Sequence, residues 1–147
     1  MNDGLFSFPS PRVGGGAYRT TAYSLVTSGV WQVVKFEGIS FAYSGVVVDY
    51  ANGVIMAVEP GLYTLFGYAP FAANATGFRV LAIRINGGEL VRQALLSVGA
   101  GGSTDVNVAG LYPLVGGEKI ELWAWQNSGG ALNISAAPLP LLGIAKL

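Results

Sequence analysis

Two segments of the chain are apolar on both faces, which a strand with one face in water should not be. In the first, Gly61-Leu62-Tyr63 onward to Tyr68, Tyr63 and Leu65 project one way, and Leu62, Phe66 and Tyr68 the other. In the second, running from Phe78 to Asn86, Leu81, Ile83 and Ile85 share one face, and Phe78, Val80 and Ala82 share the opposite one. Further short β-patterns fall at 31–36, 45–49, 53–58, 90–97, 104–109, 118–126, 131–136 and 141–146. Turn signals separate them: Ala51-Asn52-Gly53, Glu59-Pro60-Gly61, Asn86-Gly87-Gly88, Gly99 to Gly102, Gly116-Gly117 and Ser128-Gly129-Gly130. No window of helical length keeps a 3.6-residue apolar period without a Gly or Pro interruption. About ten closely spaced strands predict an all-β sandwich or jelly roll.

Residues 1–25 read differently. Phe6-Ser7-Phe8-Pro9-Ser10-Pro11 followed by Gly14-Gly15-Gly16 suits an extended arm, and residues 26–147 form the domain. Leu5, Phe6, Phe8, Pro9 and Pro11 are too apolar for a solvated tail, so the arm is expected to dock on a neighbour or a larger assembly.

Composition sharpens the question of what covers the second apolar faces. The 147 residues are 52% apolar and 11% charged, with a net charge of zero, against a typical charged share of about 25%. Such a surface has little protection against association, which points to burial between copies of the chain. Eight Lys and Arg balance eight Asp and Glu without a basic run, so no nucleic-acid partner is expected. The uncharged stretches Pro60 to Phe78 and Leu122 to Ala145 are broken by Gly, Pro and Asn and do not predict membrane insertion. Met1-Asn2-Asp3-Gly4 has no secretory pattern, so synthesis in a cytoplasm is expected.

Catalytic chemistry has few residues to use. With no His and no Cys, Ser-His-Asp, Cys-His and His-metal arrangements are absent from the chain. The carboxylates Glu118 and Glu121 lie three apart on a predicted strand, hence on opposite faces. No catalytic residue, metal site or cofactor is assigned. Trp123 and Trp125 share one strand face; they suit packing, with a sugar-stacking platform as the sharper alternative. Arg79, Arg84 and Arg92 lie in or beside apolar strands. A partly buried guanidinium is expected to pair with a carboxylate, between subunits, or with a receptor phosphate or sialic-type carboxylate. At least one of the three is expected at a solvated strand end.

A family resemblance emerges from the order of several short motifs. Phe36-Glu37-Gly38, Gly61-Leu62-Tyr63, Gly77-Phe78-Arg79 leading to Ile85-Asn86-Gly87, and Leu111 to Leu122 follow one another. With Gln126-Asn127-Ser128-Gly129 and the closing Leu142 to Leu147, they resemble the globular head of C1q and its relatives. Glu118 stands where that family usually has Asp after Gly. The resemblance implies a ten-stranded C1q/TNF-like jelly roll that forms a homotrimer through an aromatic inner sheet. Tyr63, Phe66, Tyr68, Phe78, Val80, Trp123 and Trp125 are the interface candidates.

Relatives without stalk or cysteines look most like virion proteins of tailed bacteriophages, which implies a minor tail protein or capsid decoration anchored by the arm. The alternative is an adhesin gripping a host-surface glycan through loops carrying Asn74, Thr76, Ser103, Asp105, Asn127 and Ser128.

Overall fold

The computed structural model describes residues 12–25, 27–99 and 101–147. Thirteen strands fill them: β1 (Gly14–Tyr18), β2 (Tyr23–Leu25), β3 (Gln32–Val33), β4 (Gly38–Ala42), β5 (Val46–Asp49), β6 (Val54–Ala57), β7 (Gly61–Phe71), β8 (Phe78–Ile85), β9 (Gly88–Leu96), β10 (Thr104–Leu114), β11 (Lys119–Gln126), β12 (Leu132–Ile134) and β13 (Leu141–Lys146). One 3-10 turn, Tyr50–Asn52, closes on Gly53. The strands build two antiparallel sheets. The first has seven strands in the order β2-β12-β7-β13-β1-β4, with β10 on the free side of β7. The second has six, in the order β5-β6-β11-β8-β9, with β3 beside β11.

The core lies between the sheets and follows the period-two pattern. Tyr63, Leu65, Ala69 and Phe71 of β7, with Val106 and Val108 of β10 and Leu142 and Ile144 of β13, form one side. Ile55, Leu81, Ile83, Ile120 and Leu122 form the other. At Gly67 a Cβ would come within 3.2 Å of Val108 and closer still to Leu122 of the facing sheet, so this position sets how near the layers approach.

All ten expected strands are present, several with shifted ends. β10 runs on to Leu114 through Pro113, which a strand paired on one side only can accommodate. Three strands escape the sequence pattern: β1, β2 and β4. β1 and β2 fall inside the expected 1–25 arm, so residues 14–25 belong to the sandwich, and Leu5, Phe6, Phe8, Pro9 and Pro11 lie outside the described residues. The glycine run of β1 is a packing requirement. A Cβ would lie 2.6 Å from the Ile144 carbonyl at Gly14, 2.8 Å from Val46 at Gly15, and 2.6 Å from the Phe41 ring at Gly16.

The two ends of the sandwich differ. The chain enters at Arg12 and Val13, and Lys146 N–H donates to the Val13 carbonyl at 2.9 Å, so entry and C-terminus are adjacent. At the opposite end stand the segments 72–77, 97–99 with 101–103, and 127–131.

Candidate functional site

Each sheet has an outward face, and the two are built differently. On the seven-stranded sheet, strand register sets rows of side chains pointing away from the core. One row runs Phe41, Gly16, Gly143, Phe66, Ala109 across β4, β1, β13, β7 and β10. A second runs Gly38, Tyr18, Leu141, Tyr68, Asn107. Gly14, Ala145, Thr64 and Leu111 make a third.

The aromatic rings in these rows pack over glycines. The Phe66 ring fills the space a Cβ at Gly143 would take, Phe41 does so at Gly16, and Tyr18 at Gly38. Cross-strand aromatic–glycine pairs of this kind restore the side-chain packing that glycine lacks and leave a level surface. No charged side chain interrupts the three rows. Leu111, 60% exposed, and Leu147, 71% exposed, extend the apolar surface toward the chain's entry.

A cleft of about 650 Å³ there is lined by Val13, Phe41, Tyr43, Ala145 and Leu147, with Arg12 stacked over Tyr43 and Lys146 paired to Glu59 at its rim. At the far end Asp105 receives the Tyr68 hydroxyl at 3.0 Å and the Ser103 hydroxyl at 2.8 Å. Burial, then this hydrogen bond and the nearby carboxylate, push the Tyr68 phenol up to about 12.

The outward face of the six-stranded sheet is covered by its own side chains. Val80 and Ala82 are buried there although they point away from the core. Their cross-strand partners are Trp125 and Trp123. Trp31 leans on Trp125 with ring centroids 6.5 Å apart and planes tilted by 41°. The Arg84 guanidinium lies 4.2 Å from the Trp123 ring centre and 5.1 Å from that of Trp31.

The seven expected interface residues therefore do not form one surface. Phe66 and Tyr68 lie on the level face. Tyr63 is 0% exposed in the core, its hydroxyl donating to the Glu59 carbonyl at 2.7 Å, and no neighbouring molecule can reach it. Burial raises its phenol above the usual tyrosine range. Phe78, Val80, Trp123 and Trp125 belong to the other sheet, on the opposite side of the sandwich. At Val80 and Ala82 the doubly apolar character of β8 is thus met within the chain, by tryptophans that the strand pattern alone could not place over it, whereas Phe78 and its cross-strand partner Leu96 stay exposed at the strand's end.

The loop candidates do come together. Asn74 bridges to Gly99, and Asn127 accepts the Phe78 N–H, joining the three loops at one end. Asn74 also accepts the Thr76 N–H at 2.9 Å, and Ser128 N–H donates to Gln126 at 2.7 Å. Much of their polar chemistry shapes the turns. Arg79 holds this end from within: fully buried, it donates to the carbonyls of Asn74, Thr76 and Phe78 at 2.8–3.1 Å. The expected carboxylate partner is replaced by backbone carbonyls, and desolvation lowers the guanidinium's affinity for its proton.

Two carboxylates have local duties that their position in the sequence does not reveal. Glu37 accepts both the N–H and hydroxyl groups of Thr20 and Thr21 and pairs with Arg19 at 2.9 Å, tying the β1–β2 turn to β4. The Thr21 hydroxyl and Thr20 N–H lead in lowering its carboxyl to about 2. Glu118 accepts the N–H groups of Val115 and Gly116 at 2.8 and 2.7 Å, closing the turn before β11. Among the described residues no three His, Cys, Asp or Glu converge as a metal site, and no helix is long and apolar enough to cross a membrane.

No family model and no curated protein matches the sequence. Solved structures do match its fold. Eiger TNF from S. frugiperda superposes with a TM-score of 0.70 at 9% identity, covering 93% of each chain. Murine APRIL at pH 8.0 gives 0.69 at 15% identity, over 92% of this chain and 99% of its own. Murine APRIL at pH 5.0 gives 0.61 at 20% identity, with the same coverage. Two antiparallel sheets in this order, matched over nearly the whole length, make the chain an all-β jelly roll of the TNF-like type.

Proposed function

We propose that the protein is a non-enzymatic structural module that assembles as a homotrimer through the outward face of its seven-stranded sheet. The observation that carries this reading is the level, charge-free surface around Phe66 and Gly143. Apolar area of that kind left in water favours association, by about 25 cal/mol per Å² removed from solvent. A TNF-like fold is consistent with assembly as a homotrimer.

In this reading the module belongs to a phage particle, as a minor tail protein or capsid decoration, and the residues before Arg12 anchor it. The analogy with C1q-like phage proteins that lack cysteine and a stalk, together with the apolar, proline-bearing composition of the first eleven residues, supports that context. The geometry is compatible, since the chain enters at the end opposite the three joined loops. That free end suits a second reading, an adhesin that touches a host-surface glycan with Thr76, Ser103 and Ser128.

Light scattering coupled to size exclusion tests the assembly: three copies are expected, and a stable monomer overturns the reading. Removal of residues 1–11 should keep the trimer and abolish incorporation into particles; unchanged incorporation refutes the anchor. For the adhesin, binding to bacterial envelopes should disappear on substituting the loops, and envelope binding indifferent to those substitutions removes that reading.

A further inference from the structure

The outward face of the six-stranded sheet holds a cleft of about 300 Å³ between Trp31 and Trp125, with Val80 and Ala94 also lining it and Arg92 contributing a cationic wall. We propose that this cleft binds a carboxylate-bearing pyranose, a uronic or sialic acid residue at the end or edge of a glycan.

Four observations select that class of ligand. The volume falls at the lower end of small-molecule sites, about 300–1,000 Å³, and suits one sugar ring. The two indoles are tilted by 41°, so a planar base or aromatic ring could lie flat on only one of them. A puckered pyranose presents C–H groups at an angle and can touch both.

The cleft and its support are rich in donors. The Arg92 side chain is 62% exposed and carries only a long, solvent-exposed contact to Glu89 at 3.4 Å, which an incoming carboxylate can replace. Its planar fork matches a carboxylate with two parallel hydrogen bonds.

Finally, one wall of the cleft, Trp31, is held in place before any ligand arrives, with the Arg84 guanidinium 5.1 Å from its ring centre. Arg84 sits against Trp31 and Trp123 instead of pairing with Glu121, its cross-strand neighbour. Arg84 Nε and Trp123 Nε1 are buried without a hydrogen-bond partner. Burying a guanidinium against indoles with its Nε unpaired is unfavourable packing, since unpaired buried donors are costly. As a support that orients a binding wall it is a sound arrangement.

The site faces away from the proposed assembly surface and does not use the loop end, so it stands independently of both readings above.

All three tryptophans of the chain belong to this cluster, so fluorescence excited selectively at tryptophan, which avoids the seven tyrosines, reports on it alone. The full-length protein is titrated with digalacturonate, with sialyllactose, and with their neutral counterparts digalactose and lactose. A saturable fluorescence change is expected with at least one acidic sugar, at least tenfold tighter than with its neutral counterpart. Arg92→Gln, an exposed change, should weaken that binding at least tenfold. Trp125→Ala should abolish it, with circular dichroism verifying the fold. Absence of saturation with both acidic sugars overturns the proposal. So does equal binding of acidic and neutral sugars, or undiminished binding by Arg92→Gln. None of these outcomes alters the copy number, so the assembly reading is judged separately.

Discussion

The two outward faces of the sandwich start from similar strand sequences and reach opposite solutions. β7 and β8 are both apolar on two sides. Over β8 the chain folds its own Trp31, Trp123, Trp125 and Arg84 across the second face, burying Val80 and Ala82. Over β7 it lays rings onto glycines and leaves them level and uncharged. Bulk on one side covers the middle of a face and leaves a cleft between the rings; glycine on the other lets rings pack over the backbone and leaves that face open to a partner. Apolar residues on both sides of a strand therefore do not, by themselves, indicate a subunit interface.

The sharpest way to break this comparison is Phe66→Asp. A carboxylate buried at a subunit interface without a partner costs several kcal/mol, so association should weaken at least roughly a hundredfold. Light scattering should then find monomers, whereas an intact trimer would move the interface elsewhere.

Gly15→Val asks whether the glycine run of β1 is structural. Its side chain would collide with Val46 and Val48 across the core, lowering stability by about 1–3 kcal/mol in urea unfolding. A flexible segment would tolerate the change with no shift of the midpoint.

On the other face, Trp123→Ala uncovers Ala82 and removes one side of the Arg84 stack. We expect a loss of about 2 kcal/mol, less than for a fully enclosed tryptophan, with an unchanged copy number. A change in copy number would mean that this face also takes part in assembly.

Smaller effects come with pH. The folded Tyr68 phenol is raised from about 10 to about 12, so its contribution is complete below pH 10 and is lost as pH rises through 12. Tyr68→Phe should flatten unfolding stability across that window and delete a step near pH 12 from the tyrosine absorbance titration. Glu37 behaves in the opposite sense. Its carboxyl is lowered to about 2, so its contribution is present above pH 4.5 and fades as pH falls toward 2. Glu37→Gln should remove that acid dependence, seen as a stability profile flatter than the wild type's below pH 4.5.

Legibility in the sequence followed the range of the interaction. Ten strands were readable because alternation and turn residues act over a few positions. β1 was not, because Gly14-Gly15-Gly16 carries no side-chain pattern, and its reason for being glycine lies in Phe41, Val46 and Ile144. The pairing of Trp123 with Trp125 on one face was readable from their spacing. Their cover, Trp31, comes from about ninety residues earlier, and no local signal links it to them. Arg79 was recognisable as a cation in an apolar strand, but its partners are carbonyls whose direction depends on how the 72–77 loop turns.

By itself, then, the sequence determined an all-β sandwich, its main strands, and which residues of each strand share a side. Those follow from the two-residue period of extended backbone and the turn preferences of glycine, asparagine and proline. Tertiary structure alone decided which of the two apolar faces the chain covers itself. Covering a face requires side chains from distant segments to meet over it, and only the folded register brings Trp31 over Trp125 and Phe66 over Gly143.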